Sequence, residues 1–452
     1  LSRSSRRLVS FVAAAAVVTT VAACGGGNDD DGGGGGGGGE NEASDIGVTE
    51  DSIKIGSHYP LTGVAAPGYS EIPTGVQAYF DHVNENGGVY DRQIEWVFRD
   101  DAYNPTNTSQ VVNQLVLEDE VFAIMGGLGT PTHSAVLDFL NSEGVPDLFV
   151  SSGSLLWGED PEANPYTFGW QTDYESEGKI IGQYIAEEFP DAKVGLFLQD
   201  DDFGEDGEAG IRQYLDEDQI VAAVRYTPGN TNVAPQISEL QAAGADFVVG
   251  FNVPSYTALS QLTALQLGYQ PQQWFYSNVG SDPNLVGSLL ARFSQGAVGD
   301  ASLLDGVLTT DYLPTIDETD NPWVQQFQEI WDASGQEGEL TNYRIYGMSM
   351  AYTMVQALQA AGQNPTRDGI VEAIETAGAD WEGPVLAPFR YSADSHMGTS
   401  GMSITRIVGG TGSEEVAPVQ TTDIGDAEIE PFDGEASTPP ENGIPDEESV
   451  VD

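Results

Sequence analysis

The chain has 452 residues, with 15 Lys and Arg against 71 Asp and Glu and a formal net charge of −56. A field of that sign repels nucleic acid and anionic lipid, which excludes both as direct partners. Its one cysteine, Cys24, sits in the leader, so a cysteine nucleophile and cysteine-based metal sites are excluded as well. Charge in such excess over ordinary apolar content points to a high-salt habitat, where screening reduces self-repulsion. A generally acidic exported protein is the alternative.

In chain order, Arg3, Arg6 and Arg7 come first, then an apolar stretch from Leu8 to Val21, then Ala22 and Ala23 before Cys24. A basic cap, a short apolar run and small residues form the pattern of a secretory signal over 1–23, too short to span a bilayer. The cysteine directly after the small residues resembles the lipobox of bacterial lipoproteins. That resemblance implies cleavage before Cys24, lipid on its thiol and anchoring at the extracytoplasmic face of the membrane. Each buried methylene of such a chain contributes about 0.8 kcal/mol. Cleavage would remove three arginines and no acid, leaving a charge of about −59. Gly25–Glu42 carries no apolar side chain, so residues 24–50 are expected to form a flexible tether. At the far end, the acidic, Pro-rich residues 419–452 are expected to be disordered.

Between these ends the pattern alternates. Short apolar runs predict strands at 53–56, 94–98, 122–125, 148–150, 194–198, 221–226, 247–249 and 274–276. Amphipathic segments predict helices over 75–85, 107–118, 134–142, 176–188, 208–215, 233–242 and 256–267. Such alternation means βαβ units and mainly parallel sheets covered on both faces. The pattern restarts near Gln171, and further strands are expected at 306–310 and 384–391. The expected fold is therefore α/β, two doubly wound lobes joined by a multi-crossing hinge. Lobe one takes 51–171 and 306–382, and lobe two takes 172–305 and 383–418.

Ligands of doubly wound sheets sit at strand carboxyl ends and helix N-termini. Four loops there are rich in small and hydroxyl residues: Pro60–Gly75, Gly126–Ser134, Ser151–Trp157 and Asp200–Gly207. Any one of them is equally well a simple turn. Within Gly75–Pro105, Asn84, Gly87, Gly88 and Val89 precede Asp100, Asp101 and Pro105 in an N-x-x-G-G-hydrophobic, then D-D-x-x-x-P, arrangement. This run resembles the branched-chain amino-acid binding proteins, type I periplasmic binding proteins that serve ATP-driven importers. Gly126–Thr130, Ser151–Ser154 and Phe203–Gly207 resemble further loops of that family, and the likeness spans roughly Asp51 to Ala417.

The resemblance implies a monomeric receptor that closes on a small molecule and delivers it to ABC permease subunits, with no cofactor and no metal. It implies ligand contacts from Leu128, Gly129 and Thr130, from Ser152, Gly153 and Ser154, and from Asn252, Val253 and Ser277. Phe203 would close over the ligand. The family sets a carboxylate against the ligand ammonium where this chain has Tyr276-Ser277-Asn278. Amides and other small carboxylates therefore rival amino acids as ligands.

Other chemistries have little support. His58, His82, His133 and His396 lack metal-ligand spacing. Gly347–Ala351 misses the last glycine of a nucleophile elbow. Gly127-x-Gly129 lacks the third glycine of a dinucleotide loop. Asp200, Asp201 and Asp202 read as a solvated turn, and Tyr343, Tyr346 and Tyr352 as core. A ligand-sensing ectodomain partner without transport, and more remotely a secreted hydrolase, are the competing functions.

Overall fold

The computed structural model describes residues 40–298, 301–447 and 450. The signal stretch, Cys24 and the tether through residue 39 lie outside the described residues.

Two sheets organise the chain. In the first, β1 (Ser52–Tyr59), β2 (Gln93–Asp100), β3 (Ala123–Met125), β4 (Asp147–Val150) and β5 (Thr167–Gly169) stand in the order β2-β1-β3-β4-β5, all parallel. The second contains β6 (Val194–Gln199), β7 (Ile220–Tyr226), β8 (Phe247–Phe251), β9 (Gln273–Tyr276) and β10 (Leu308–Asp311). To these it adds β11 (Gly401–Val408), β12 (Gly412–Thr421) and β13 (Glu430–Pro431). Its order is β13-β12-β11-β10-β9-β8-β6-β7, parallel from β7 to β10 and antiparallel beyond. Both parallel halves repeat one order, in which the second strand lies outside the first. The direction in which successive strands are added therefore reverses between β1 and β3, and again between β6 and β8. Central strands β3, β4, β6 and β8 are buried along their whole length, as helices on both faces require. Seven of the eight expected strands lie within these elements, and the eighth, 122–125, overlaps β3 from Ala123 on.

Local chemistry fixes where the helices start. Asn104, Asp173 and Asp201 accept backbone N–H groups at the heads of Pro105–Leu117, Tyr174–Glu188 and Asp202–Arg212. The expected loop Asp200–Gly207 is thus mostly helix, begun at Asp202 by the Asp201 cap.

Three boundaries and one strand differ from expectation. Residues 306–311 belong to lobe two, because β10 pairs with β9 and β11. Residues 383–398 belong to lobe one, where Tyr391 packs against Phe149 and Phe168. The strand expected at 384–391 is absent there: Pro384 and Pro388 deny it donors, and only Phe389 makes an isolated bridge, to Thr399. Residues 41–50, expected in the tether, pack on lobe one. Ser44 Oγ donates to the Pro365 carbonyl at 2.6 Å, and Val48 is buried.

The tail corrects the expectation of disorder. Lys179 Nζ donates to the carbonyls of Asp423, Gly425 and Ala427 at 2.6–3.0 Å. The chain then returns to lobe one, where Trp323 Nε1 donates to Ser437 O at 3.0 Å and Tyr79 Oη to Gly443 O at 2.7 Å. Isolated side-chain anchors on tail carbonyls hold it, so it carries no periodic signal.

Candidate functional site

Because both parallel halves reverse their direction of strand addition between the first and third strands, each opens a crevice at its strand carboxyl ends. The two crevices face one another across a cavity of about 160 Å³. Lobe one contributes the loop after β3, with Leu128, Gly129 and Thr130, together with Tyr69, Tyr103 and Tyr346. Phe203, Val253, Asn278, Asp282 and Asp311 come from lobe two, and Tyr174 stands where the chain crosses between them.

The loop after β3 needs its glycines. Gly129 has φ +99°, and a Cβ there would lie 2.4 Å from the Tyr103 ring. Thr130 Oγ1 lies 2.7 Å from Ser152 Oγ, and that serine also receives the Tyr174 hydroxyl at 3.4 Å. On the other wall, the Phe203 ring lies 4.3 Å from that of Tyr174 and 5.7 Å from that of Phe251, centroid to centroid.

The lobes touch around the cavity. Tyr69 Oη donates to Val279 O at 3.0 Å, Ser255 Oγ to Val64 O at 2.8 Å, and Asn342 Nδ2 to Asp282 Oδ2 at 2.7 Å. Leu155 N donates to Asp206 Oδ2 at 3.1 Å. These are the contacts of a closed cleft.

Of the expected contact residues, Leu128, Gly129, Thr130, Phe203 and Val253 line the cavity. The other five stand behind it. Ser152 supports Thr130. Gly153 gives its carbonyl to Tyr174 N at 2.7 Å, and Ser154 Oγ accepts from Leu156 N at 3.4 Å. Thr130, Tyr174 and Leu156 thus take up these groups. Asn252 donates to Thr257 Oγ1 and leaves its Oδ1 without a partner among the described residues. Ser277 Oγ donates to Glu177 Oε2 at 2.9 Å, and it is the adjacent Asn278 that reaches the cavity.

Sequence reasoning missed the aromatic lining. Tyr343 and Tyr346, read as core, line the cavity with Tyr69, Tyr103, Tyr174 and Tyr312, whereas Tyr352 packs on Trp323 inside lobe one. Helical spacing marks a buried face equally whether protein or ligand covers it. Nor is Asp201 a solvated residue. Gln199 Nε2 donates to its carboxylate at 2.7 Å, and burial raises its carboxyl to about 6.

Carboxylates are the charged groups of the lining. Asp282, Asp311 and Asp317 contribute to it, and no Lys, Arg or His does among the described residues. Burial pushes Asp282 above the usual carboxylate range and Asp311 to about 7. Glu177, held by Ser277, Asn278 N and Thr310 just behind the lining, is likewise raised to about 7 by burial.

Comparison with known proteins fits this geometry. A family model described as periplasmic binding protein matches residues 52–412. A Leu/Ile/Val-binding protein homolog of Brucella abortus is 25% identical over 330 residues, covering 70% of this chain and 81% of the relative. A leucine-, isoleucine-, valine-, threonine- and alanine-binding protein of Pseudomonas aeruginosa is 26% identical over 206 residues, 44% of this chain and 53% of the relative. Among solved structures, a branched-chain amino acid ABC transporter protein of Thermus thermophilus with bound valine gives a TM-score of 0.70. It is 21% identical and covers 82% of this chain and 97% of that one. A fatty acid ABC transporter substrate-binding protein of Thermomonospora curvata gives 0.69 at 22% identity, covering 83% and 93%.

Proposed function

The chain belongs to the periplasmic binding proteins, and from that premise we propose that it is the lipid-anchored substrate-binding protein of an ABC importer for a small amino acid or related amide. The observation that carries the reading is the cavity built jointly by the two crevices, with Thr130 on one wall and Phe203 on the other. Such a cavity exists only when the lobes are together. A ligand that bridges both walls therefore shifts the population toward the closed form, and the closed pair of surfaces is what a permease reads.

The lining also selects among ligands. Thr130 and nearby backbone groups offer neutral hydrogen bonds to a carboxylate or amide. Asp282 and Asp311 favour an ammonium, and the aromatic rings favour an apolar side chain. That combination suits an amino acid of no net charge better than an anion. The protein acts as a monomeric binder without turnover, held at the extracytoplasmic face by lipid on Cys24.

Mass spectrometry of small molecules released from purified protein tests the ligand class. An amino acid or small amide is expected, and a released fatty acid or sugar would refute the assignment. Fatty-acid labelling tests the anchor, since Cys24→Ser should abolish it.

A further inference from the structure

We propose that Asp101, His58, His133 and Asp147 share three protons at neutral pH, and that the third one holds the cavity-lining turn Gly126–Thr130 in place. The four side chains make one chain of contacts. His58 Nδ1 lies 2.7 Å from Asp101 Oδ2, His58 Nε2 lies 3.0 Å from His133 Nδ1, and His133 Nε2 lies 2.8 Å from Asp147 Oδ2. All four residues are fully buried, and the two rings are inclined by only 14°.

Each of the three contacts needs a proton between its two atoms. Two neutral imidazoles and two carboxylates supply only two. The lone pairs of His58 Nε2 and His133 Nδ1 would then face each other at 3.0 Å. A third proton, carried on the histidine pair, completes the chain. It also reduces the buried charge from two negatives to one. Burial lowers the His58 imidazolium below its ordinary 6.5, against the opposing pull of the bond to Asp101. For the four groups together, burial favours the proton, because the protonated cluster carries less charge out of water.

The groups facing the cluster supply no competing cation. Asp101 accepts from Thr108 Oγ1 at 3.0 Å and Tyr103 N at 2.8 Å, and Asp147 from Thr167 Oγ1 at 3.1 Å. The Tyr103 phenol is the other titratable group near Asp101, and the Trp157 ring stands edge-on to His133 at 5.1 Å. Among the described residues, the ion pairs of Asp101 and Asp147 are with these histidines alone.

The rings carry the turn directly. A Cβ at Gly127 would lie 2.3 Å from His133 Nδ1 and 2.7 Å from His58 Nε2. Leu128 N donates to His58 O at 3.3 Å, and His133 N to Gly129 O at 2.8 Å. On the proposal, a shift of the two histidines carries Leu128, Gly129 and Thr130 with it through these bonds. On this proposal the unbroken chain of contacts keeps the proton through neutral pH, and the stabilisation it gives is lost as pH rises through the folded-state titration.

The test needs no ligand and so stands apart from the solute assignment. Nitrogen-15 NMR of the histidine side chains, assigned with His82→Gln and His396→Gln, should show three protonated ring nitrogens on the pair at pH 7. Amide signals of Gly126–Thr130 should titrate with that pair at higher pH. Asp147→Asn should lower the titration by at least a pH unit, and His133→Gln should flatten the fall of melting temperature between pH 6 and 9. Two neutral imidazoles at pH 7 in the wild-type spectrum would overturn the proposal even if both variants failed to fold. Turn amides indifferent to the titration would overturn the positioning role.

Discussion

The two walls of the cleft share a strand order and differ in what stands behind them. Behind the lobe-one wall, buried polar groups close on one another: Thr130 on Ser152, and Asp101 through the two histidines to Asp147. Lobe two backs its wall with aromatic rings around Phe203 and with carboxylates that face no cation, Asp282 and Asp311. The polar groups behind the lobe-one wall are therefore paired within that lobe. Lobe two carries groups such as Asp206 whose partner, Leu155 N, lies across the cleft. A wall backed by internal pairs meets one whose Asp206 is paired across the cleft.

Paired glycine substitutions test that contrast with the largest expected effect. Gly127→Ala drives a methyl to 2.3 Å from His133, and Gly207→Ala drives one to 2.4 Å from the Phe251 ring. Overpacking costs about 1–3 kcal/mol at either site. At Gly127 the broken polar chain adds about 1–3 kcal/mol more for unpaired buried groups. Urea unfolding should show the lobe-one variant as clearly the less stable; equal losses would erase the distinction between the walls.

Phe203→Ala comes next. Truncating a buried aromatic costs about 3–5 kcal/mol, and here the loss falls on lobe two and on closure. Small-angle scattering with ligand present should report a more open average shape, while the histidine signals of lobe one stay unchanged.

Thr130→Val removes one hydroxyl and leaves Ser152 short of a partner. The expected loss is about 1–3 kcal/mol, or roughly fivefold to over a hundredfold in affinity.

The smallest effect is a pH dependence. With the lobes together, burial raises the Asp206 carboxyl to about 7 from its ordinary 3.8. The closed form therefore binds that proton more tightly than the open one. Closure should strengthen as pH falls from about 7 toward 4 and weaken as it rises. Asp206→Asn keeps an acceptor for Leu155 N and should flatten the closure profile over that range.

How much of this was legible in the sequence follows from the kind of signal each part leaves. Strands such as Val194–Leu198 and Phe247–Val249 are continuous apolar runs, and the glycines of Gly126–Gly129 mark a turn that no other residue fits. Those features mark one wall of the cavity. Tyr69, Tyr343 and Tyr346 could not be told from core because burial against a ligand and burial against protein write the same pattern. Ser152 and Ser154, expected at the ligand, stand behind the cavity lining, since sequence does not reveal which hydroxyls neighbouring groups take up. The tail was read as disordered because its anchors, Lys179 and Trp323, lie far away in the chain and leave no local period. The relation between His58 and His133 is likewise long-range: neither residue signals that the other stands 3.0 Å away.

The central claim is that both walls grip one small solute. Calorimetric titration of the wild type, Thr130→Val and Phe203→Ala with leucine, isoleucine, valine and short amides addresses it directly. The account predicts that at least one of these binds the wild type and that both substitutions weaken it, Thr130→Val by fivefold or more. A ligand from the panel that binds all three proteins equally tightly would contradict the placement of the site.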